Sequence, residues 1–165
     1  MVLRYIEKIS NILIRINEFL AGVVLGSAMI IGILQVFYRY FLNLSLTWSE
    51  EIMRYMLLWL VFTTLPIAVV SKKHISLDII LEKVSPEIKK WMEIIINLIG
   101  IIIIVSLAFY SIELVALGKL QRVSSINIQL NYIYIIVPIS LIITVFHFIE
   151  LLVKECVRKT GKIDD

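Results

Sequence analysis

Cysteine is almost absent from this 165-residue chain. Cys156 stands alone, so neither an internal disulfide nor a multi-thiolate metal site can form within the chain. Histidine is nearly as scarce: His74 and His147 are the only two, and no zinc-ligand spacing includes them. A Gly-rich phosphate loop, a nucleophile with its base, and paired broken helices aimed at a membrane midplane are all missing as well. The net charge is +3, yet the basic residues sit in loops between apolar runs and form no continuous face, which argues against a nucleic-acid partner. No internal repeat or low-complexity tract is present. No catalytic site, metal or cofactor is therefore expected.

What the chain does have is apolar length. Hydrophobic residues make up 60% of it, and the mean hydropathy is +0.96, whereas an ordinary soluble domain is about half apolar. This is the composition of an integral membrane protein. The first apolar run, Phe19 to Tyr38, exceeds the about 7–15 residues of a signal-peptide core and lacks a small-x-small cleavage site at its end. It is expected to stay in the mature chain as a span.

Leu46 to Asp78 is the stretch with the most readable boundaries. Thr47 and Glu50 stand at capping-box spacing, which predicts a helix start at Thr47. From Ile52 to Val70 the only formal charge is Arg54, and that length suits a hydrocarbon core about 30 Å thick. Pro66 should bend this span near Phe62, with Thr63 and Thr64 available to bond the freed carbonyls. Ser85 and Pro86 predict a second helix start, as cap and first helical residue, and that helix can run unbroken to Leu117 ahead of Gly118. The last span begins at Tyr132 with Pro138 in its early turns.

The expected fold is a single domain, 1–165: an all-α membrane protein with four transmembrane helices at about 19–38, 52–70, 92–117 and 132–153. Two interfacial amphipathic helices join them. Residues 2–18 place Val2, Ile6, Ile9, Leu13 and Ile16 on one face, and residues 76–84 do the same with Leu77, Ile80, Leu81 and Val84. With four spans, twelve Lys and Arg fall in the segments that include both termini, against four (Arg39, Arg54, Lys119 and Arg122) at the other side. The positive-inside rule then puts both termini in the cytoplasm.

Few residues stand out for chemistry. Glu50 and Arg54 are spaced for an ion pair on one helix face, as are His74 and Asp78. His147, with Glu150 three residues on, reads either as a satisfied interfacial histidine or as the end of a proton relay. Gly22 and Gly26 stand in GxxxG register, which serves dedicated helix packing or is simply the glycine content common in membrane helices. Glu113 lies near the outer end of the third span.

Taken in order, QVFYRYFLNLSLTWSEEIMRYMLLWLVF, the KKHISLDII exit and the YIYIIVPISLII start of the last span resemble the small, Q-type membrane subunit of tripartite ATP-independent periplasmic (TRAP) transporters. The resemblance covers nearly the whole chain. One departure is Ser71, Lys72 and Lys73, which stand where a small glycine-rich turn is usual. It implies a bacterial inner-membrane complex in which a large multi-span subunit moves an organic acid, such as a sialic acid or a C4-dicarboxylate, with sodium, and a periplasmic binding protein delivers it. The small subunit would then scaffold the large one among the lipids and help dock the binding protein. On this resemblance Trp48, Glu50, Glu51 and Arg54 form a periplasmic rim, Lys119 and Arg122 are docking contacts, and His74 and Asp78 order the cytoplasmic segment. The rival readings are a stand-alone four-span transporter of small solutes and a membrane enzyme.

Overall fold

The computed structural model describes residues 2–71 and 86–157. The expected interfacial helix at 76–84, with His74 and Asp78, lies outside the described residues. Five helices account for nearly all of the rest: α1 (Val2–Phe41), α2 (Thr47–Ser71), α3 (Pro86–Gly118), α4 (Asn131–Tyr134) and α5 (Ile136–Val157). Four stretches are long and apolar enough to cross a membrane: Ile6–Phe41, Thr47–Ser71, Ile94–Gly118 and Asn131–Val153.

Two helix starts fall where local chemistry puts them, at Thr47 and at Pro86. The N-terminal region differs from expectation. An interfacial helix ending at residue 18 and a separate span from 19 are one unbroken helix of 40 residues, about 60 Å long at 1.5 Å per residue. Nothing at the expected junction can stop it. No proline interrupts the run, and Asn17, the residue best suited to cap a new helix, instead turns its amide back to donate to the Leu13 carbonyl (3.0 Å).

Ile9 and Ile16, on the face expected to lie in the membrane interface, are 49% and 50% exposed. Ser10, Asn17 and Ala21 turn inward instead. Small and polar side chains facing the bundle, with large aliphatic ones facing out, is the pattern of a helix whose surroundings are hydrocarbon: lipid gives no drive to hide leucine, and close approach favours small residues.

The helices pack in the order α1, α2, α5, α3, and α5 touches each of the other three long helices. Its inward stripe runs Val137, Ser140, Leu141, Thr144, His147 and Leu151, at three- and four-residue steps. The apolar core sits where α5 meets α3 and α2, around Ile104, Val137 and Leu141, with Leu58, Phe62 and Phe148 against them. Gly100 lets α3 and α5 approach there: an added Cβ would lie 2.7 Å from the Phe148 ring.

Both spans that contain proline show its cost in backbone hydrogen bonds. In α5's lead-in, Pro138 has no N–H to give to the Tyr134 carbonyl, and the helix breaks for one residue, Ile135, between α4 and α5. In α2, Pro66 frees the Phe62 carbonyl. Thr63 and Thr64 do not take it up, because their hydroxyls donate to the carbonyls of Trp59, Leu60 and Val61. Ser140 of α5 donates to it instead.

Candidate functional site

The turn between α1 and α2 begins the site. Asn43 adopts a left-handed backbone (φ 50°), a conformation that asparagine tolerates better than most side chains. Leu42 and Leu44 both donate backbone N–H groups to Tyr38 O. At the head of α2 the fully buried Ser49 bonds Leu46 O through its hydroxyl (2.7 Å) and its amide (3.0 Å). The first turn of α2 is thus held before the apolar stretch begins.

Three side chains of that turn then point in different directions. Glu50 does not reach back to its own helix cap: its carboxylate accepts from Gln35 Nε2 of α1 at 3.2 Å. The expected Glu50–Arg54 ion pair is not formed. Arg54 is exposed, and Glu50 is drawn the other way by the polar amide across the helix seam. Trp48 is partly exposed at the rim.

Glu51 is the organising residue. Its two carboxylate oxygens accept the backbone N–H of Ser124 (3.1 Å) and of Ser125 (3.0 Å), and Tyr55 donates its hydroxyl to the same group at 3.4 Å. Bonds to an ionised acceptor are the stronger kind. The loop they hold is a small hairpin, closed by a bridge between Arg122 and Gln129 and by Val123 N to Ile128 O (2.8 Å). Asn127 turns it with φ 52°, and Arg122 donates to the Asn127 side chain at 3.0 Å. Val123 plugs its inner side at 1% exposure.

At the hairpin's base an added Cβ on Gly118 would lie 2.8 Å from Asn131 N, so the end of α3 and the start of α4 are in backbone contact. Trp59 Nε1 donates to Ile133 O (3.0 Å), fastening α4 to α2.

Of the six rim residues expected from sequence, the structure joins Glu51 to the Arg122 hairpin. It turns Glu50 to α1 and leaves Arg54 and Lys119 exposed. The hairpin presents Leu120, Ile126 and Ile128 as exposed apolar side chains beside these cations. The partners of Glu51 were not legible in sequence, because backbone amides carry no residue-type signal and Ser124 lies 73 positions away.

At the other end of the bundle, His147 is fully buried within the protein. Its Nδ1 lies 3.2 Å from Ser10 Oγ and 3.4 Å from Glu150 Oε2, and its Nε2 is enclosed with no partner among the described residues. The cluster ties the first turns of α1 to the last turns of α5. Gly22 and Gly26 play no such part within the chain, since nothing lies within 4 Å of an added Cβ at either. Among the described residues no group of three or more His, Cys, Asp or Glu is placed to hold a metal ion.

Comparison with known proteins agrees with this architecture. Residues 28–158 match the family model described as "Tripartite ATP-independent periplasmic transporters, DctQ component". A Haemophilus influenzae protein with the provisional name TRAP transporter small permease protein is 23% identical over 139 residues, covering 82% of this chain and 84% of that protein. The isethionate TRAP transporter permease protein DctMQ of Oleidesulfovibrio alaskensis is 24% identical over 95 residues, 56% of this chain but 15% of that longer protein. With the family model spanning most of its length and four helices able to cross a membrane, the chain belongs to the DctQ component of the TRAP transporters: a multi-pass inner-membrane subunit of a transporter, not an enzyme.

Proposed function

We propose that the chain is the scaffold subunit of a sodium-driven importer of an organic acid, with a sialic acid or a C4-dicarboxylate as the expected class of solute. It enlarges and steadies a large membrane subunit and offers part of the surface on which a periplasmic substrate-binding protein docks. The observation that carries this reading is where the polar groups go. Ser140, Trp59, Glu51 and Gln35 each bridge one helix to another helix or to the hairpin. In a bilayer such bonds hold helices together where no water drives them, and a fixed frame is what a scaffold needs. The relative named DctMQ, of which this chain matches a small part, supports a large membrane partner.

With both termini cytoplasmic, as the Lys and Arg distribution requires, the Glu51 rim faces the periplasm. Exposed Leu120, Ile126 and Ile128 beside Lys119, Arg122 and Arg54 then suit a partner with an apolar patch and acidic groups.

The test is co-expression with the large membrane protein encoded beside this chain, affinity purification in mild detergent, and sodium-driven uptake in proteoliposomes with the binding protein. Equal recovery of the two membrane proteins and uptake that needs all three components is the expected result. Transport by this chain alone would defeat the reading.

A further inference from the structure

The helix α3 packs against α5 and α4, and the described residues leave another of its sides uncovered. On that side Ser106, Tyr110 and Glu113 follow at four- and three-residue steps, so they form one stripe along the helix. Phe109 and Tyr110 there are 76% and 72% exposed. The Ser106 hydroxyl is occupied within its own helix, donating to Ile102 O at 2.8 Å. Glu113 makes no hydrogen bond or ion pair with any described residue of this chain.

Two grooves flank Tyr110. One, of about 440 Å³, is lined by Val105, Ser106, Phe109, Tyr110 and Glu113. The other, of about 340 Å³, lies between α3 and α2, with Phe62 and Leu107 among its walls and Val137 and Leu141 of α5 at its floor. The stripe falls within the membrane-crossing stretch Ile94–Gly118. Glu113 lies near the outer end of that stretch, where a carboxylate either reaches the interface or is met by an opposite charge from a neighbouring chain. Hydrocarbon tails fill apolar grooves but bring no cation.

We propose that this face of α3 is the seat of the large membrane subunit, whose apolar side chains fill the grooves on either side of Tyr110 and whose lysine or arginine pairs with Glu113. The inference rests on the reading of the chain as a scaffold subunit and adds the surface and its charge.

The two ideas separate in one experiment on the co-expressed complex. Glu113→Lys lowers recovery of the large subunit about tenfold or more, because like charges now face each other; Glu113→Gln lowers it less. A photo-crosslinking benzophenone amino acid in place of Tyr110 captures the large subunit. Thermal unfolding of the isolated chain is the same for the wild type and both Glu113 variants, since Glu113 has no partner among its described residues. If the wild-type complex forms and Glu113→Lys keeps it, or the benzophenone labels only lipid, the α3 face is not the seat while the scaffold reading stands. If the wild-type chain does not co-purify with the large subunit, the scaffold reading fails and takes this inference with it.

Discussion

Where α5 meets α2 and α3, the bundle has interlocking apolar side chains, a glycine that admits a phenylalanine ring, and a serine that answers the carbonyl freed by a proline. Where α1 meets its neighbours, the inward residues are Ser10, Asn17 and Ala21, and the cross-helix bonds are Gln35 to Glu50 and Ser10 to His147. Even Gly32 would place an added Cβ an ordinary 3.9 Å from Met53 Sδ. The first seam is marked by close-fitting shape and the second by polar contacts along a pairing of α1 with α2 at least as extensive as that of α3 with α5. Since apolar burial adds little between helices already in lipid, those cross-helix bonds and close approaches are what set each seam apart.

The sharpest way to break the contrast is at Gly100. Gly100→Leu forces the larger side chain into the Phe148 ring and is expected to cost about 3 kcal/mol, measured as thermal or denaturant unfolding in detergent; an equally large residue at Gly22 or Gly26 should leave the isolated chain's stability unchanged. Next is Ser140→Ala, which leaves the Phe62 carbonyl unanswered and is expected to cost about 1–2 kcal/mol in the same assay.

Ser10→Ala should cost less, about 0.6 kcal/mol, and its effect should be confined: amide hydrogen exchange rises in the first turns of α1 and stays unchanged in α2 and α3. Glu51→Gln keeps the size but loses the charge, and exchange at Ser124 and Ser125 should rise about tenfold without loosening the core. Smallest is Gln35→Leu, whose exposed bond to Glu50 should leave the unfolding temperature within error.

These two seams also separate what sequence shows from what it hides. The starts of α2 and α3 were legible because threonine and proline there act on their immediate neighbours, although Glu50, read as closing the cap, turns to Gln35 instead. The missing break at residue 18 was not, because Asn17 can cap a new helix or bond back to Leu13, and which of these wins depends on the packing of α1. Pro66 announced a freed carbonyl, but its partner lies on another span, and the nearby threonines were the wrong answer. Glu51 was singled out by resemblance, while its task of holding the hairpin depends on backbone amides that no side-chain pattern reveals. The burial of His147 was not legible for a similar reason: it depends on Ser10 of α1 packing over it, 137 residues away in sequence.

The bond from Ser140 to Phe62 spans 78 residues of chain. A ribosome adding about 5–20 residues per second needs on the order of 4–16 s to make Ser140 after Phe62 has been made. For that interval the second span sits in the bilayer with an open acceptor, a temporary address that a hydroxyl on a later helix comes to occupy. The same proline that weakens α2 on its own therefore tells the fourth span where to stop and in which rotation to settle.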